Sequence, residues 1–163
     1  MRTGEIHGLK WRYVDFDKRL ILVRECWLKG EETYTKTDGS QRDIQMSQRV
    51  FDALKEQYEV TKNCDYVFCT QIASPLGDNV GKRVWHPMLK LLGLRPRSPY
   101  QTRHTTATLW LASGENPEWI ANQMGHTNTE MLFRVYSRYV PNLTRNDGSA
   151  FDKLISQQGD DHE

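Results

Sequence analysis

Strand patterns are concentrated in the first 46 residues of this chain, and apart from a short apolar strand or turn at 65–70, helical patterns follow them. Three strand regions are predicted, at 11–15, 20–24 and 34–46. Within the third, Asp38-Gly39 is a strong tight-turn signal. Residues 2–11 predict the end of a helix. Because strands precede helices instead of alternating with them, we expect a mostly helical α+β domain with a small antiparallel sheet near its N-terminal end.

The helices have clear start and stop signals. Ser47 is a predicted N-cap, and so is Asp78, whose helix should split at Pro87. A helix is expected over 101–113. The next has the most complete signals, with Asn116 at the N-cap, Pro117 in the first turn and Gly125 at the end. The last helix begins near Asn128 and carries Tyr136 near its end. Inward-facing positions are predicted at Val50, Leu54, Tyr58, Val80, Val84 and Met88.

Length and composition exclude several classes of protein. The 163 residues suit one compact domain, and 37% of them are hydrophobic. No apolar run approaches the roughly 20 residues of a membrane span, and no secretory leader is recognisable. Cys26, Cys64 and Cys69 are too few for a disulfide scaffold, which favours a reducing, cytosolic compartment. Cys64 and Cys69 with His86 have the wrong spacing for a zinc site, so no metal is expected.

Charge is segregated although the formal net charge is only +1. Residues 79–114 contain no Asp or Glu, and the tail at 146–163 is acidic. This predicts a basic face suited to a polyanion, and a polar tail separate from a domain over 1–145. Five residues are candidates for DNA binding: Arg42, and from the basic window Lys82, Arg83, Arg95 and Arg97. A basic window can also be an ordinary solvated surface.

Four short motifs carry residues with a common chemistry. They are Arg2-Thr-Gly-Glu5, the segment 35–44 with Lys36 and Arg42, Arg103-His104, and Gly125-His126 followed by Tyr136. Guanidinium groups bind the equatorial oxygens of a phosphoryl transition state. A lysine can protonate a leaving oxygen, and a phenol can act as nucleophile in a cationic pocket. The set therefore suits attack of a tyrosine hydroxyl on a phosphodiester.

These motifs resemble the catalytic domain of tyrosine site-specific recombinases, the phage integrase family, from Arg2 to about residue 139. The resemblance implies a DNA breaking-rejoining fold and a 3′-phosphotyrosyl intermediate, with no cofactor. It implies double-stranded DNA as partner and a homotetramer assembled on it. The implied catalytic residues are Arg2, Lys36, Tyr100, Arg103, His126 and the nucleophile Tyr136, supported by Glu5 and His104.

The sequence departs from the family pattern in two places. Tyr100 occupies the first position of the H-x-x-R box, where the family has a histidine that helps to manage the proton of the nucleophile. A neutral phenol donates a hydrogen bond but is a poor base near pH 7. His126 and Tyr136 are one residue further apart than is usual, and Tyr139 competes as nucleophile. Two alternatives stay open: a helix-turn-helix-like module over 116–136 that only binds DNA, and a degenerate recombinase.

Overall fold

The computed structural model describes residues 1–34, 41–77 and 79–136. Its first helix, α1 (Thr3–His7), begins at Thr3, because Arg2 has extended backbone angles and is the N-cap. The Glu5 carboxylate accepts a hydrogen bond from the Arg2 backbone N–H (2.7 Å), which closes a capping box. The prediction that these residues end a longer helix was therefore wrong. At Gly8, which follows α1, an added Cβ would lie 2.8 Å from the Cys26 backbone.

The predicted antiparallel sheet is present. It has three strands in the described residues, ordered β1 (Val14–Asp15), β2 (Leu20–Val23) and β5 (Arg42–Gln45). Ile21 pairs with Ile44, and both are buried. The first strand is shorter than predicted, because 11–13 form a 3₁₀ turn.

A second hairpin was not predicted. It consists of β3 (Glu25–Leu28) and β4 (Glu31–Tyr34), joined by Lys29 and Gly30. Both turn residues have positive φ (52° and 86°), as a two-residue hairpin turn requires. Its glutamates disfavour a strand by composition alone. The pairing buries Glu25, so tertiary contacts override local propensity here.

Helix α2 (Gln48–Thr61) follows Ser47 and packs on the sheet. Leu54 is buried as predicted, whereas Val50 is exposed. The first hydrophobic core contains Leu9, Ile21, Val23, Ile44, Met46, Leu54 and Val67.

The segment 81–91 is split as Pro87 predicts. A π-helical turn (Gly81–Trp85) is followed by α3 (His86–Leu91), with Pro87 in its first turn. Val84 and Met88 are about half exposed, so their predicted inward orientation was wrong. Leu89 is the buried residue of α3.

Three helices form the second half of the molecule: α4 (Gln101–Ala112), α5 (Pro117–Met124) and α6 (Glu130–Tyr136). The Asn116 side chain accepts a hydrogen bond from the Glu118 backbone N–H (2.8 Å), as the N-cap prediction requires. Their core contains Ala107, Leu111, Ile120, Met124, Leu132 and Tyr136.

The two halves meet where α5 crosses β5. The Gln45 backbone N–H donates to Gln123 Oε1 (3.0 Å), and the Trp119 indole donates to Gln45 Oε1 (3.0 Å). Among the described helices, none is long and apolar enough to cross a membrane. The predicted tail at 146–163 lies outside the described residues.

Candidate active site

Three arginines from three separate segments meet at the C-terminal end of α5. Arg42 Nε donates to the Gln123 carbonyl (3.1 Å), and Arg2 Nη2 donates to the Gly125 carbonyl (2.9 Å). Arg103 Nη2 donates to the carbonyl between them, that of Met124. The last carbonyls of a helix lack intrahelical donors and carry partial negative charge. The end of α5 therefore holds three cationic side chains, which we call the arginine cluster (Arg2, Arg42 and Arg103).

Glu5 joins two members of the arginine cluster. Its carboxylate accepts from Arg42 Nη1 (3.0 Å) and Nη2 (2.8 Å), and from Arg2 Nη1 (3.0 Å). Burial alone would raise the pKa of the Glu5 carboxyl, but the hydrogen bonds from Arg42 and Arg2 lower it to about 2. Glu5 is thus a permanent anion near neutral pH, and it fixes Arg2 without covering it, since the Arg2 side chain is 41% exposed.

Gly125 makes this packing possible. It ends α5 in the left-handed conformation (φ 67°). An added Cβ would lie 2.7 Å from Arg42 Nη1. Only glycine therefore combines this backbone conformation with the close approach of the Arg42 guanidinium.

His126 follows this turn and completes a cationic pocket. Its Nε2 lies 3.4 Å from Arg103 Nη2. Burial, followed by the nearby charge of Arg103, lowers the pKa of His126. The imidazole is therefore neutral near pH 7 and carries one N–H donor.

Two buried nitrogens in this pocket have no hydrogen-bond partner among the described residues. They are Arg103 Nη1 and His126 Nδ1. Burying a polar atom without a partner costs about 1–3 kcal/mol, so natural proteins rarely tolerate it away from functional sites. An anion in the pocket would supply the missing acceptor for the Arg103 donor.

Tyr136 lies at the end of α6 beside helix α4. Its side chain is buried, and its hydroxyl shares a hydrogen bond with His104 Nδ1. Burial raises the pKa of Tyr136, and the charge of Arg103 acts in the opposite direction. Arg103, His104 and Tyr136 are therefore close together, and α4 links the arginine cluster to the phenol.

Tyr100 is the N-cap of α4, one turn before His104. The two rings meet edge to face, with centroids 5.2 Å apart. Tyr100 is 42% exposed, whereas Tyr136 is 5% exposed. The predicted site residues Arg2, Glu5, Tyr100, Arg103, His104, His126 and Tyr136 thus lie in one region. Lys36 and Tyr139 lie outside the described residues.

Arg42, a candidate DNA-binding residue by sequence, is buried in the structure. The side chain is 3% exposed, and it is held by Glu5 and by the Gln123 carbonyl. Sequence analysis treated Arg42 as an exposed cation because its carboxylate partner, Glu5, lies in a distant segment of the chain. By contrast, Lys82, Arg83, Arg95 and Arg97 are exposed, and within the described ranges none of these four forms an ion pair.

Sequence analysis missed Gln123. Its carbonyl binds Arg42 and its side chain binds the Gln45 backbone, so it connects α5 to both the site and the sheet. Gln123 lies two residues before Gly125, which ends α5, so its backbone carbonyl has no intrahelical donor. That position is the signal in the sequence that indicates a carbonyl free to bind a cation. The described part of the chain contains no group of three His, Cys, Asp or Glu side chains arranged to hold a metal ion.

A model of the phage integrase family matches residues 1–142. The chain belongs to this family. Two curated relatives of this phage integrase domain come from Escherichia coli (strain K12). IntQ, which bears the name of a defective protein, is 30% identical over 86% of this chain and 42% of its own length. The prophage integrase IntR is 29% identical over 88% of this chain and 41% of its own length.

A solved structure supports the fold of the phage integrase domain. The Tn1549 transposon integrase in complex with circular intermediate DNA superposes with a TM-score of 0.79 at 22% identity, over 95% of this chain and 56% of that one. This confirms the predicted fold class. The chain spans about two fifths of the length of its two Escherichia coli relatives.

Proposed function

We propose that this chain is the catalytic domain of a site-specific recombinase that cuts and rejoins double-stranded DNA through a 3′-phosphotyrosyl intermediate. The supporting observation is the pair of unpartnered buried nitrogens, Arg103 Nη1 and His126 Nδ1, beside a half-exposed Arg2. A scissile phosphate would accept the hydrogen bonds that the pocket leaves unused.

Tyr136 is the proposed nucleophile. Its phenolic oxygen forms a bond to phosphorus, and the bond from phosphorus to the 5′-oxygen breaks. Arg2, Arg103 and His126 bind the oxygens on which charge develops in the transition state. Lys36, a site residue only by resemblance, would protonate the leaving 5′-oxygen. The covalent link conserves the energy of the phosphodiester, so the reverse attack by a 5′-hydroxyl needs no cofactor.

The acid-free window 79–114 is the proposed DNA-facing surface. Its exposed cations lie on the segment that ends with α4, and α4 carries Arg103. Phosphate contacts of this kind position a protein on DNA without reading its sequence. Assembly of four copies on DNA, action in the cytoplasm of a bacterial host and a role in integration or excision belong to the same proposal.

The test is capture of a covalent complex on a nicked suicide duplex, in which the released 5′ fragment diffuses away. The wild-type chain should form a DNA–protein adduct that withstands denaturing electrophoresis. Tyr136→Phe should bind the duplex with unchanged affinity and form no adduct, because the attacking oxygen is gone.

The matched controls are Tyr58→Phe and Tyr139→Phe. Tyr58 packs against Trp11 on the far core (ring centroids 5.0 Å apart), so this variant should retain full adduct yield. Loss of the adduct in Tyr139→Phe, with normal yield in Tyr136→Phe, would assign the nucleophile to Tyr139 and contradict the proposal.

A degenerate recombinase is the second candidate, and Tyr100 at the histidine position favours it. Such a protein would bind DNA and form no adduct on any suicide substrate. The same assay separates the two candidates, since only a catalytic domain yields an adduct that depends on a tyrosine.

A further inference from the structure

The hydrogen bond between His104 and Tyr136 connects a buried hydroxyl to a residue that is exposed to solvent. It joins a buried phenol, 5% exposed, to an imidazole on an exposed residue. A proton that leaves the Tyr136 hydroxyl can therefore pass to His104 Nδ1, and the imidazole can exchange it with water. The exposed histidine provides a route to solvent for a proton that is otherwise buried.

Few other groups act on this hydroxyl. Among the described residues, the charged or titratable groups that act electrostatically on Tyr136 are Arg103 and Tyr100. A guanidinium cannot accept a proton, and a phenol is a poor base near pH 7. His104 Nδ1 is the described atom that shares a hydrogen bond with the Tyr136 hydroxyl, and a ring nitrogen of a neutral imidazole has a lone pair that can take the proton.

In the family that the sequence resembles, the position of Tyr100 holds a histidine that helps to manage the proton of the nucleophile. In this structure the Tyr100 ring packs edge to face on His104 (interplanar angle 75°) and orients the imidazole. The imidazole in contact with the phenol thus lies at position 104, one helical turn after Tyr100.

We propose that His104 is the general base that accepts the Tyr136 proton during DNA cleavage. This rests on the proposed function. The phenolic O–H bond breaks, the proton goes to Nδ1, and the phenolate oxygen attacks phosphorus as the bond to the 5′-oxygen breaks. The imidazolium then releases a proton to water, while the leaving 5′-oxygen takes its proton from a separate acid. Cleavage therefore uses two groups, a base on α4 and an acid elsewhere.

The experiment measures the single-turnover rate of adduct formation by the full 163-residue chain on the nicked duplex. His104→Gln keeps a hydrogen-bonding side chain but cannot accept a proton, so the rate at pH 7 should fall by about 10²–10⁴-fold with DNA affinity unchanged. The rate should recover as the pH rises, because Tyr136 then ionises without a base. Tyr58→Phe, a change on the far core outside both the site and the proposed DNA-facing surface, is the control and should behave as wild type.

Two further measurements separate a base from a scaffold. A small exogenous imidazole should restore adduct formation by His104→Ala, because it replaces the missing proton acceptor. A duplex with sulfur at the 5′-bridging position has a leaving group that needs no protonation. It should rescue Lys36→Ala but not His104→Gln.

Each outcome has a distinct meaning. A His104→Gln rate within twofold of wild type, with the same pH dependence, would overturn the role of His104 while the proposed function stands. Rescue of His104→Gln by the sulfur substrate would also overturn it, because the lost function would then be that of the acid. A wild-type chain that forms no adduct at any pH would overturn both proposals.

Discussion

Two buried glutamates, Glu5 in α1 and Glu25 in β3, make a direct comparison possible. Glu5 and Glu25 side chains are 4% and 1% exposed, and each contacts two cations. The partners of Glu25 are Lys10 (2.7 Å) and Arg12 (2.7 Å). The partners of Glu5 are Arg2 and Arg42, whose guanidinium groups also donate to carbonyls at the end of α5. The same charge arrangement thus stabilises a hairpin in one place and builds an anion site in the other.

The difference lies in the cations. Lysine is a compact point charge, whereas a guanidinium has five donors in a planar fork. Arg42 uses this fork to bind Glu5 and the Gln123 carbonyl at once. Lys10 binds a second carboxylate, Glu32, and Arg12 is 60% exposed to solvent. The planar fork of Arg42 thus lets one side chain bridge a carboxylate and a helix end, which the point charge of Lys10 does not do here.

The largest expected effect comes from breaking one buried pair. Arg42→Gln leaves Glu5 buried with only Arg2 and should lower the free energy of unfolding by about 3–5 kcal/mol, measured by urea denaturation. Arg12→Gln removes an exposed cation beside Glu25 and should change the free energy of unfolding little, because solvent screens that pair. Equal losses in the two variants would break the comparison.

Acid should affect both centres in the same way. The hydrogen bonds from their cations outweigh burial and lower the pKa of Glu5 and of Glu25 to about 2. A carboxyl with a depressed pKa stabilises the fold above its unfolded pKa of about 4.3, and this stability is lost as the pH falls toward 2. Each glutamate should contribute about 3 kcal/mol of this acid dependence.

Glu5→Gln and Glu25→Gln should therefore each flatten the curve of unfolding free energy against pH between about 5 and 2. The measurement is urea denaturation across that range. A curve that keeps its full slope in either variant would show that the carboxyl in question has an ordinary pKa.

The smallest expected effect concerns the glycines that end α5 and α4. Gly125 and Gly114 both have positive φ (67° and 86°), so alanine at either position should cost about 1–2 kcal/mol in backbone strain. At Gly125 the new Cβ also meets the Arg42 guanidinium, while at Gly114 nothing lies within 4 Å. Thermal unfolding should show a larger loss for Gly125→Ala, and equal losses would mean that Arg42 moves aside freely.

Local signals predicted α5 well. Asn116, Pro117 and Gly125 act through the backbone within one turn, so sequence spacing alone places the ends of the helix. Family motifs also placed Arg103 and His126 in one site. These parts of the structure depend on residues that are neighbours in sequence or belong to recognisable motifs.

Other features depend on partners far away in sequence. Arg42 looks like a surface cation until Glu5 is brought beside it by folding. Glu25 argues against a strand until Lys10 neutralises it. Val84 lies on a predicted apolar face of its helix but is 51% exposed. Whether a charge or an apolar side chain is buried depends on the opposing segment, which periodicity does not reveal.

The hydrogen bond from Arg2 to Gly125 closes a loop of 123 residues. Contacts of such large sequence separation form late in folding, since the entropy of loop closure must be overcome first. A ribosome would finish α1, the sheet and α2 long before α5 emerges from the exit tunnel. Until then the nascent chain would hold Arg2 and Arg42 without the carbonyls of α5, and the proposed phosphate site would form only after α5 has emerged.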